Sequence, residues 1–370
     1  RAAEALMRAE EGRVGKERRP RRKAVDDVIL GCAFPEAETG MNLGRVLTLG
    51  AGLPIETSGM TVNRFCSSGL QAIADATAKI QAGWSEVIIA GGVETMTHIP
   101  MGGSQFRPDP DWGNRPNTYV SMGITAENVA AKYSVSREDQ DKMGVESNRR
   151  AAEALKGGKF KDETIPIKAW KYKKDASGKR IREEVTFNAD DGVRWPTTVA
   201  DLGKLKPAFK AGGSVTAGNS SQMTDGAAFA LLMTAEKAKA LGLKPLAKMT
   251  VFAVAGCAPE EMGFGPAVAI PKALKLAGLT AADIDLFEIN EAFAAQAIAS
   301  CRVLGIEERY WKGDINPNGG AIALGHPLGA TGAKLTAQVL HEAKRRKAKR
   351  CMVSMCIGGG MGAAGIYEML

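Results

Sequence analysis

One plan of loop, helix, buried strand and glycine run occurs twice in this chain, once in each half. In the first half Leu70, Ile73, Ala74, Thr77 and Ile80 recur at helical spacing, and Gly83 ends the run. Glu86-Val87-Ile88-Ile89-Ala90 then reads as a buried strand closed by Gly91-Gly92. In the second half Thr331 to His341 reads as a helix, and Arg350 to Ile357 as a strand closed by Gly358-Gly359-Gly360. Two copies of such a plan predict an internally duplicated α/β architecture. At 370 residues the chain exceeds one ordinary core, so two or three packed units are expected.

Between the halves the character changes. Residues 98–222 are polar, basic and rich in Pro, Gly and Asn, with helices expected over Ile124–Lys132 and Arg137–Leu155. Ser136, with Asp139 three positions on, is an N-terminal capping pattern. This region reads as an inserted domain that covers the active site. The expected division is a first half over 1–97, completed by about 223–244, the insertion over 98–222, and a second half over 245–370.

Hydrophobic residues at 45% and charged residues at 24% place the chain among soluble globular proteins. The formal net charge of +8 is uneven, with a net +5 in residues 1–25 and +7 in residues 156–182. A basic run, Lys344 to Arg350, ends a late helix. Such runs suit solvated faces or a polyanionic small ligand. With no zinc-finger spacing or aromatic-rich RNA-binding signature, neither nucleic acid nor a metal is an expected partner. The six cysteines, Cys32, Cys66, Cys257, Cys301, Cys351 and Cys356, form no paired CxxC, which points to a reducing compartment. No membrane span or signal peptide is expected.

Cys66 stands where a strand-like run gives way to a helix start, in Val62-Asn63-Arg64-Phe65-Cys66-Ser67-Ser68-Gly69-Leu70. A thiol at a helix N-terminus feels the positive end of the dipole, which favours the thiolate. Of the three histidines, His341 reads as solvent-facing and His98 as able to line the insertion. His326 lies between Gly325 and Pro327, where small neighbours let substrate approach, and is the expected base. Asn290 ends an apolar strand before an Ala-rich helix, a place that faces the ligand crevice in open α/β sheets. The competing reading makes Asn290 and Glu291 helix caps. Cys356 precedes Gly358-Gly359-Gly360-Met361-Gly362-Ala363, which fits G-x-G-x-x-A. A dinucleotide site needs a further helix and strand, and seven residues remain, so the glycines are read as exposed N–H groups for an oxyanion.

Asn63-Arg64-Phe65-Cys66-Ser67-Ser68-Gly69, Asn290-Glu291-Ala292-Phe293, Gly325-His326-Pro327 and Cys356-Ile357-Gly358-Gly359-Gly360 resemble, in order and spacing, the four signature blocks of the thiolases. Thr216 to Ser221 and Asn316-Pro317-Asn318-Gly319-Gly320 look like family segments as well, and the similarity runs from about Val25 to the C-terminus. The resemblance implies a five-layered αβαβα fold of two similar halves plus a loop domain, with coenzyme A (CoA) as a substrate and no cofactor. By the same resemblance Cys66 is the nucleophile, His326 activates it, and Cys356 is the acid/base for the α-carbon. Asn290 holds a water that, with His326, stabilises the thioester enolate. The N–H groups of Cys66 and Gly358 form a second oxyanion hole. Met122, Arg194, Ser221, Met262, Ala292 and Phe293 match positions that line the CoA site. Family members open with a central β-strand and an Arg-Thr-Pro-like segment, whereas this chain opens with Arg1-Ala2-Ala3-Glu4-Ala5-Leu6-Met7 and a basic stretch to Lys23.

The expected activity is thiolytic cleavage of 3-ketoacyl-CoA to acetyl-CoA and a shortened acyl-CoA. The alternative is the biosynthetic condensation of two acetyl-CoA, whose enzymes carry a His-Met pair where this chain has Ser121-Met122. A decarboxylating ketoacyl synthase would use a second His where Cys356 stands, and an inactive subunit would have lost a catalytic residue. A homodimer or homotetramer is expected, cytoplasmic in a bacterium and otherwise peroxisomal or mitochondrial.

Overall fold

The computed structural model describes residues 22–113 and 117–370. The question of a first central strand falls largely on residues 1–21, outside the described residues.

β1 (Asp27–Gly31) is a run of five buried residues. α1 (Leu43–Gly50) starts at Asn42, whose side chain accepts from the Arg45 N–H, and packs on β1 and β2 (Ser58–Val62). α2 (Ser68–Gln81) buries Leu70, Ile73, Ala74 and Ala76, one face of its 3.6-residue period. β3 runs from Val87 to Thr95, through the glycines expected to close it. The reason is packing. A Cβ on Gly91 would stand 2.1 Å from the Ala228 carbonyl oxygen, and one on Gly92 would stand 1.9 Å from that of Gly329. These glycines admit neighbouring backbone rather than turning the chain.

The segment from β3 to β6 holds α3 (Met122–Lys132), α4 (Arg137–Lys156) and an exposed hairpin of β4 (Ile167–Lys174) and β5 (Arg180–Phe187). Ser136 caps α4 by accepting from the Asp139 N–H at 3.0 Å. β6 (Asp225–Met233) then returns antiparallel to β3, giving a sheet in the order β2-β1-β3-β6.

β7 (Ala247–Gly256), α5 (Gly265–Ala277), β8 (Leu286–Ile289), α6 (Ala294–Val303), α7 (Leu328–Arg346), β9 (Arg350–Ile357) and β10 (Met361–Met369) build the second half. Its sheet has the order β7-β10-β9-β8. α7 outlasts the expected end at His341 by a turn and more. Glu342 pairs with Arg345 and Arg346, and basic residues suit a helix C-terminus. The halves correspond. A helix links parallel partners in each, α2 between β1 and β3, α7 between β8 and β9. An antiparallel strand follows, β6 or β10.

α2 and α7 lie side by side between the two sheets, with α1 outside one sheet and α5 and α6 outside the other. The five layers are αβαβα. One core cluster joins Leu70 and Ile73 of α2, Leu335 and Val339 of α7, Ile88 of β3, and Val353 and Met355 of β9. Each such side chain contributes about 1.5–3 kcal/mol by leaving water. No helix among the described residues is long and apolar enough to cross a membrane.

Candidate active site

The two central helices meet at their N-terminal ends, and glycine makes the approach possible. A Cβ on Gly69 would lie 2.8 Å from the Gly329 oxygen, and one on Gly332 would lie 2.4 Å from the Leu70 nitrogen. Cys66 and His326 stand just before these two helix starts, and α7 packs against the Phe65–Ser67 turn that holds Cys66.

The Cys66 turn is tied by its neighbours. The Phe65 N–H donates to Asn63 Oδ1 at 2.8 Å, the Arg64 N–H donates to Ser68 Oγ at 2.9 Å, and Ser68 Oγ donates to the Phe65 oxygen at 2.7 Å. Phe65 itself sits at φ +43°, a conformation costly for a bulky residue. Cys66 is buried, and the nearby Gly358 N–H draws its thiol down. Burial nevertheless pushes its thiol up to about 11. The helix start was expected to favour the thiolate; in the free protein desolvation wins, and the resting group is a neutral thiol.

His326 is buried and held on three sides. Its N–H donates to the Gln222 oxygen at 3.2 Å, and Nδ1 lies 2.6 Å from Thr331 Oγ1. Thr331 spends its single proton on the Pro327 oxygen at 2.9 Å, so Nδ1 carries the hydrogen of this pair. That assigns Nε2 as the lone-pair nitrogen, and Asn290 Nδ2 donates to it at 3.2 Å. Burial, and secondarily Lys334, lower the imidazole to about 3, so it is neutral and able to accept a proton. Asn290 is fixed in turn by its N–H, which donates to the Ser354 oxygen at 2.9 Å, two residues before Cys356.

Cys356, the last residue but one of β9, is fully buried, and burial holds its thiol well above the ordinary value. It lies close enough to Cys66 for charge on one to oppose charge on the other. Around it Met122, Ala126, Val215, Met262, Ala292 and Phe293 form one apolar cluster. The Ser221 N–H donates to the Ala292 oxygen at 2.9 Å, which joins Ser221 to this wall. Arg194 is exposed, and its N–H is held by Asn148 Oδ1 at 2.8 Å. His98 is exposed and pairs with Glu38 at 3.0 Å, and His341 is half-buried rather than solvent-facing.

Three supporting residues were given no such role from sequence. Thr331 fixes the tautomer; its signal was only a hydroxyl one turn beyond a histidine. Glu94 is buried and accepts from the Ala33, Phe34 and Gly329 N–H groups, tying β1 and β3 to the start of α7. Glu291 is no helix cap. It is a buried carboxylate that accepts from Ser147 Oγ at 2.6 Å, Asn316 Nδ2 at 2.9 Å and Tyr310 Oη at 3.3 Å. No cluster among the described residues could hold a metal ion. Two neutral thiols, a neutral imidazole whose unprotonated Nε2 can exchange its Asn290 bond for a proton, and backbone N–H donors, all buried, can form a thioester and shuttle a proton to carbon.

Known proteins resemble the chain over nearly its whole length. Residues 16–236 match the thiolase N-terminal domain and residues 243–369 the thiolase C-terminal domain. The chain is 54% identical over 346 residues to the 3-ketoacyl-CoA thiolase of Bacillus subtilis, covering 93% of this chain and 88% of that one. It is 45% identical over 354 residues to the acetyl-CoA acetyltransferase of Chromobacterium violaceum, covering 92% and 87%. The crystal structure of human mitochondrial 3-ketoacyl-CoA thiolase in complex with CoA matches with a TM-score of 0.86 and 37% identity, over 100% of this chain and 90% of that one. Two domain matches that span nearly the whole chain, on a fold of two like halves, leave one assignment: the chain belongs to the thiolase family.

Proposed function

We propose that the chain cleaves 3-ketoacyl-CoA with CoA, releasing acetyl-CoA and an acyl-CoA shortened by two carbons. His326 Nε2 takes the Cys66 proton, and the thiolate adds to the C3 carbonyl. The resulting oxyanion is held by the Cys66 and Gly358 N–H groups. The C2–C3 bond breaks, leaving an acyl group on Cys66 and an acetyl-CoA enolate. The imidazolium and a water held by Asn290 stabilise that enolate, the Cys356 thiol protonates its carbon, and acetyl-CoA leaves. The Cys356 thiolate then takes the proton of incoming CoA. The CoA thiolate attacks the Cys66 thioester, acyl-CoA departs, and His326 returns the proton to Cys66. CoA is a substrate in this scheme, and no cofactor is invoked.

The observation that carries the reading is the convergence at the Cys66 turn: β9, the strand of Cys356, packs on it, and Gly358 lies against its Phe65 ring. On the C-terminal half, Asn290 and His326 share a hydrogen bond at a helix end packed on the Cys66 turn. Met122, Met262, Ala292 and Phe293 supply an apolar wall suited to the pantetheine arm. Arg194 and Ser221 are assigned to the nucleotide end, where the basic excess of residues 156–182 suits a ligand with several phosphates.

The condensing direction, two acetyl-CoA to acetoacetyl-CoA, uses the same groups. Ser121-Met122 and the higher identity to the Bacillus subtilis thiolase favour the degradative reading. Steady-state kinetics with acetoacetyl-CoA and with longer 3-ketoacyl-CoA decide it. Higher kcat/KM on the longer chains is expected; activity confined to acetoacetyl-CoA would select the biosynthetic reading.

A further inference from the structure

The strand that delivers Asn290 ends on the edge of its sheet, and the structure shows how that edge is finished. β9 pairs with β8 on one side. On the other, the Phe287 N–H donates to the Asp314 oxygen and the Asn316 N–H to the Phe287 oxygen, a short parallel bridge. The chain must then leave, because Asn316 sits at φ +48° and Gly319 at φ +82°. Its side chain continues the pairing the backbone has abandoned. Asn316 Oδ1 accepts from the Ile289 N–H at 2.8 Å, and Nδ2 donates to the Ile289 oxygen, also at 2.8 Å. One amide side chain thus acts as the next peptide group of an edge strand, against the residue that precedes Asn290.

We infer that Asn316 is a positioning residue for the enolate-stabilising step, clamping Ile289 so that the Asn290 amide stays on His326. The inference rests on the role proposed above for Asn290. The clamp has its own brace. The second Nδ2 hydrogen reaches Glu291 Oε1 at 2.9 Å, while Glu291 Oε2 accepts from Ser147 Oγ of α4 at 2.6 Å. The Gly320 N–H donates to the same hydroxyl at 3.1 Å, and Arg150 of α4 donates to the Ile315 and Asn316 oxygens. Asn316 is almost fully buried, so each bond is made away from water. Among side chains, the asparagine amide fits this place best. Aspartate has no donor and would oppose Glu291, glutamine is one methylene too long, and asparagine tolerates the left-handed region.

His326 does not depend on this clamp. It keeps Thr331 on Nδ1 and Gln222 on its backbone. Loss of the clamp therefore separates the two halves of the reaction. Acylation of Cys66 needs His326 and the Gly358 N–H and should survive. Stabilising the enolate needs Asn290 in place and should not.

The test measures two reactions on the full chain: exchange of labelled CoA into acetyl-CoA, which reports acylation, and solvent exchange of the acetyl-CoA α-protons. The variants are Asn316→Asp, Asn316→Gly, which suits the positive φ and adds no charge, and Asn290→Ala as reference. In Asn316→Gly, α-proton exchange should fall by about 10²-fold, the cost of an ångström-scale misplacement, while CoA exchange stays within about threefold and KM is unchanged. Asn316→Asp should show the same split, at least as large. Equal loss of both reactions, or loss of neither, in whichever of the two variants is soluble overturns the inference. If Asn290→Ala itself keeps α-proton exchange, the role of Asn290 fails first, and the positioning role falls with it.

Discussion

The Cys66 turn and the His326 turn occupy equivalent places in the two halves, each leading into a central helix, yet they are built by opposite means. The Cys66 turn is fastened around the sulfur: Asn63 and Ser68 tie the backbone, Phe65 carries the positive φ, and backbone N–H groups of Gly358 and of Cys66 itself draw the thiol down. The His326 turn is fastened through the reactive group, since the ring is anchored at Nδ1 by Thr331 and met at Nε2 by Asn290. There the positive φ falls on Gly325, at +82°. The difference matches the roles proposed for the two groups, nucleophile and base. A nucleophile must move onto a carbon and carry an acyl chain, so its position is set by backbone. A base must present one nitrogen in one tautomer, so its ring is held. Desolvation then sets both resting states, raising the thiol to about 11 and lowering the imidazole to about 3.

The largest expected effect separates the two turns outright. Cys66→Ala should form no acyl-enzyme at any pH, because the bond-forming atom is gone. His326→Ala should lose acylation by roughly 10²–10⁴-fold at neutral pH, the usual worth of a general base. Its activity should climb as pH rises toward the thiol value of about 11. Mass spectrometry of the protein after acyl-CoA treatment reads both. An acyl adduct on Cys66→Ala, or a His326→Ala rate that stays flat with rising pH, would break the division of labour.

How far these turns were legible in the sequence follows from the same contrast. Local patterns read true: β9 has the expected bounds, Arg350–Ile357, and Ser136 caps α4 as its spacing implied. The misreadings are those in which a distant segment decides. Gly91 and Gly92 looked like a strand end, and they are strand interior because Gly329 and Ala228 press on them from far along the chain. The competing reading of Glu291 as a cap fails for the same reason: it is a buried acceptor that Ser147, Tyr310 and Asn316 reach from three other segments. The helix-start argument for a thiolate failed because it counted the dipole, which is local, and not burial, which the whole fold sets.

A smaller effect sharpens the second turn. Thr331→Val removes the acceptor for Nδ1–H and leaves a buried donor unpaired, at a cost of about 1–3 kcal/mol. The ring is then free to move its hydrogen to Nε2, where it cannot act as base. Acylation should fall by about tenfold with KM for CoA little changed, because the substrate-binding wall is untouched. Thr331→Ser should restore most of the rate. A full rate in the Val variant beside a defect in the Ser variant would show that the methyl group, not the hydroxyl, is what the site needs.

The smallest effect is a titration limb that should be missing. An ordinary histidine titrates near 6.5, and a base with that value would give acylation an acid limb between pH 8 and 5. His326, lowered to about 3, stays neutral across that range, so kcat/KM for acylation should show no limb near 6.5. The price appears in stability. Unfolded, the ring takes up a proton below 6.5; folded, it takes none until about 3. A folded value below the unfolded one means that stability is whole above 6.5 and declines as pH falls from there toward 3. At pH 5 the decline amounts to about 2 kcal/mol from this one group. Denaturant unfolding of the wild type and of His326→Ala at pH 7 and pH 5 isolates it, and the wild type should lose about 2 kcal/mol more than the variant. His98, raised by its bond to Glu38, has the opposite sign and is present in both proteins, so it cancels in the comparison. Equal losses, together with an acid limb near 6.5, would mean that the ring is reached by water, and the contrast between the two turns would lose its electrostatic half.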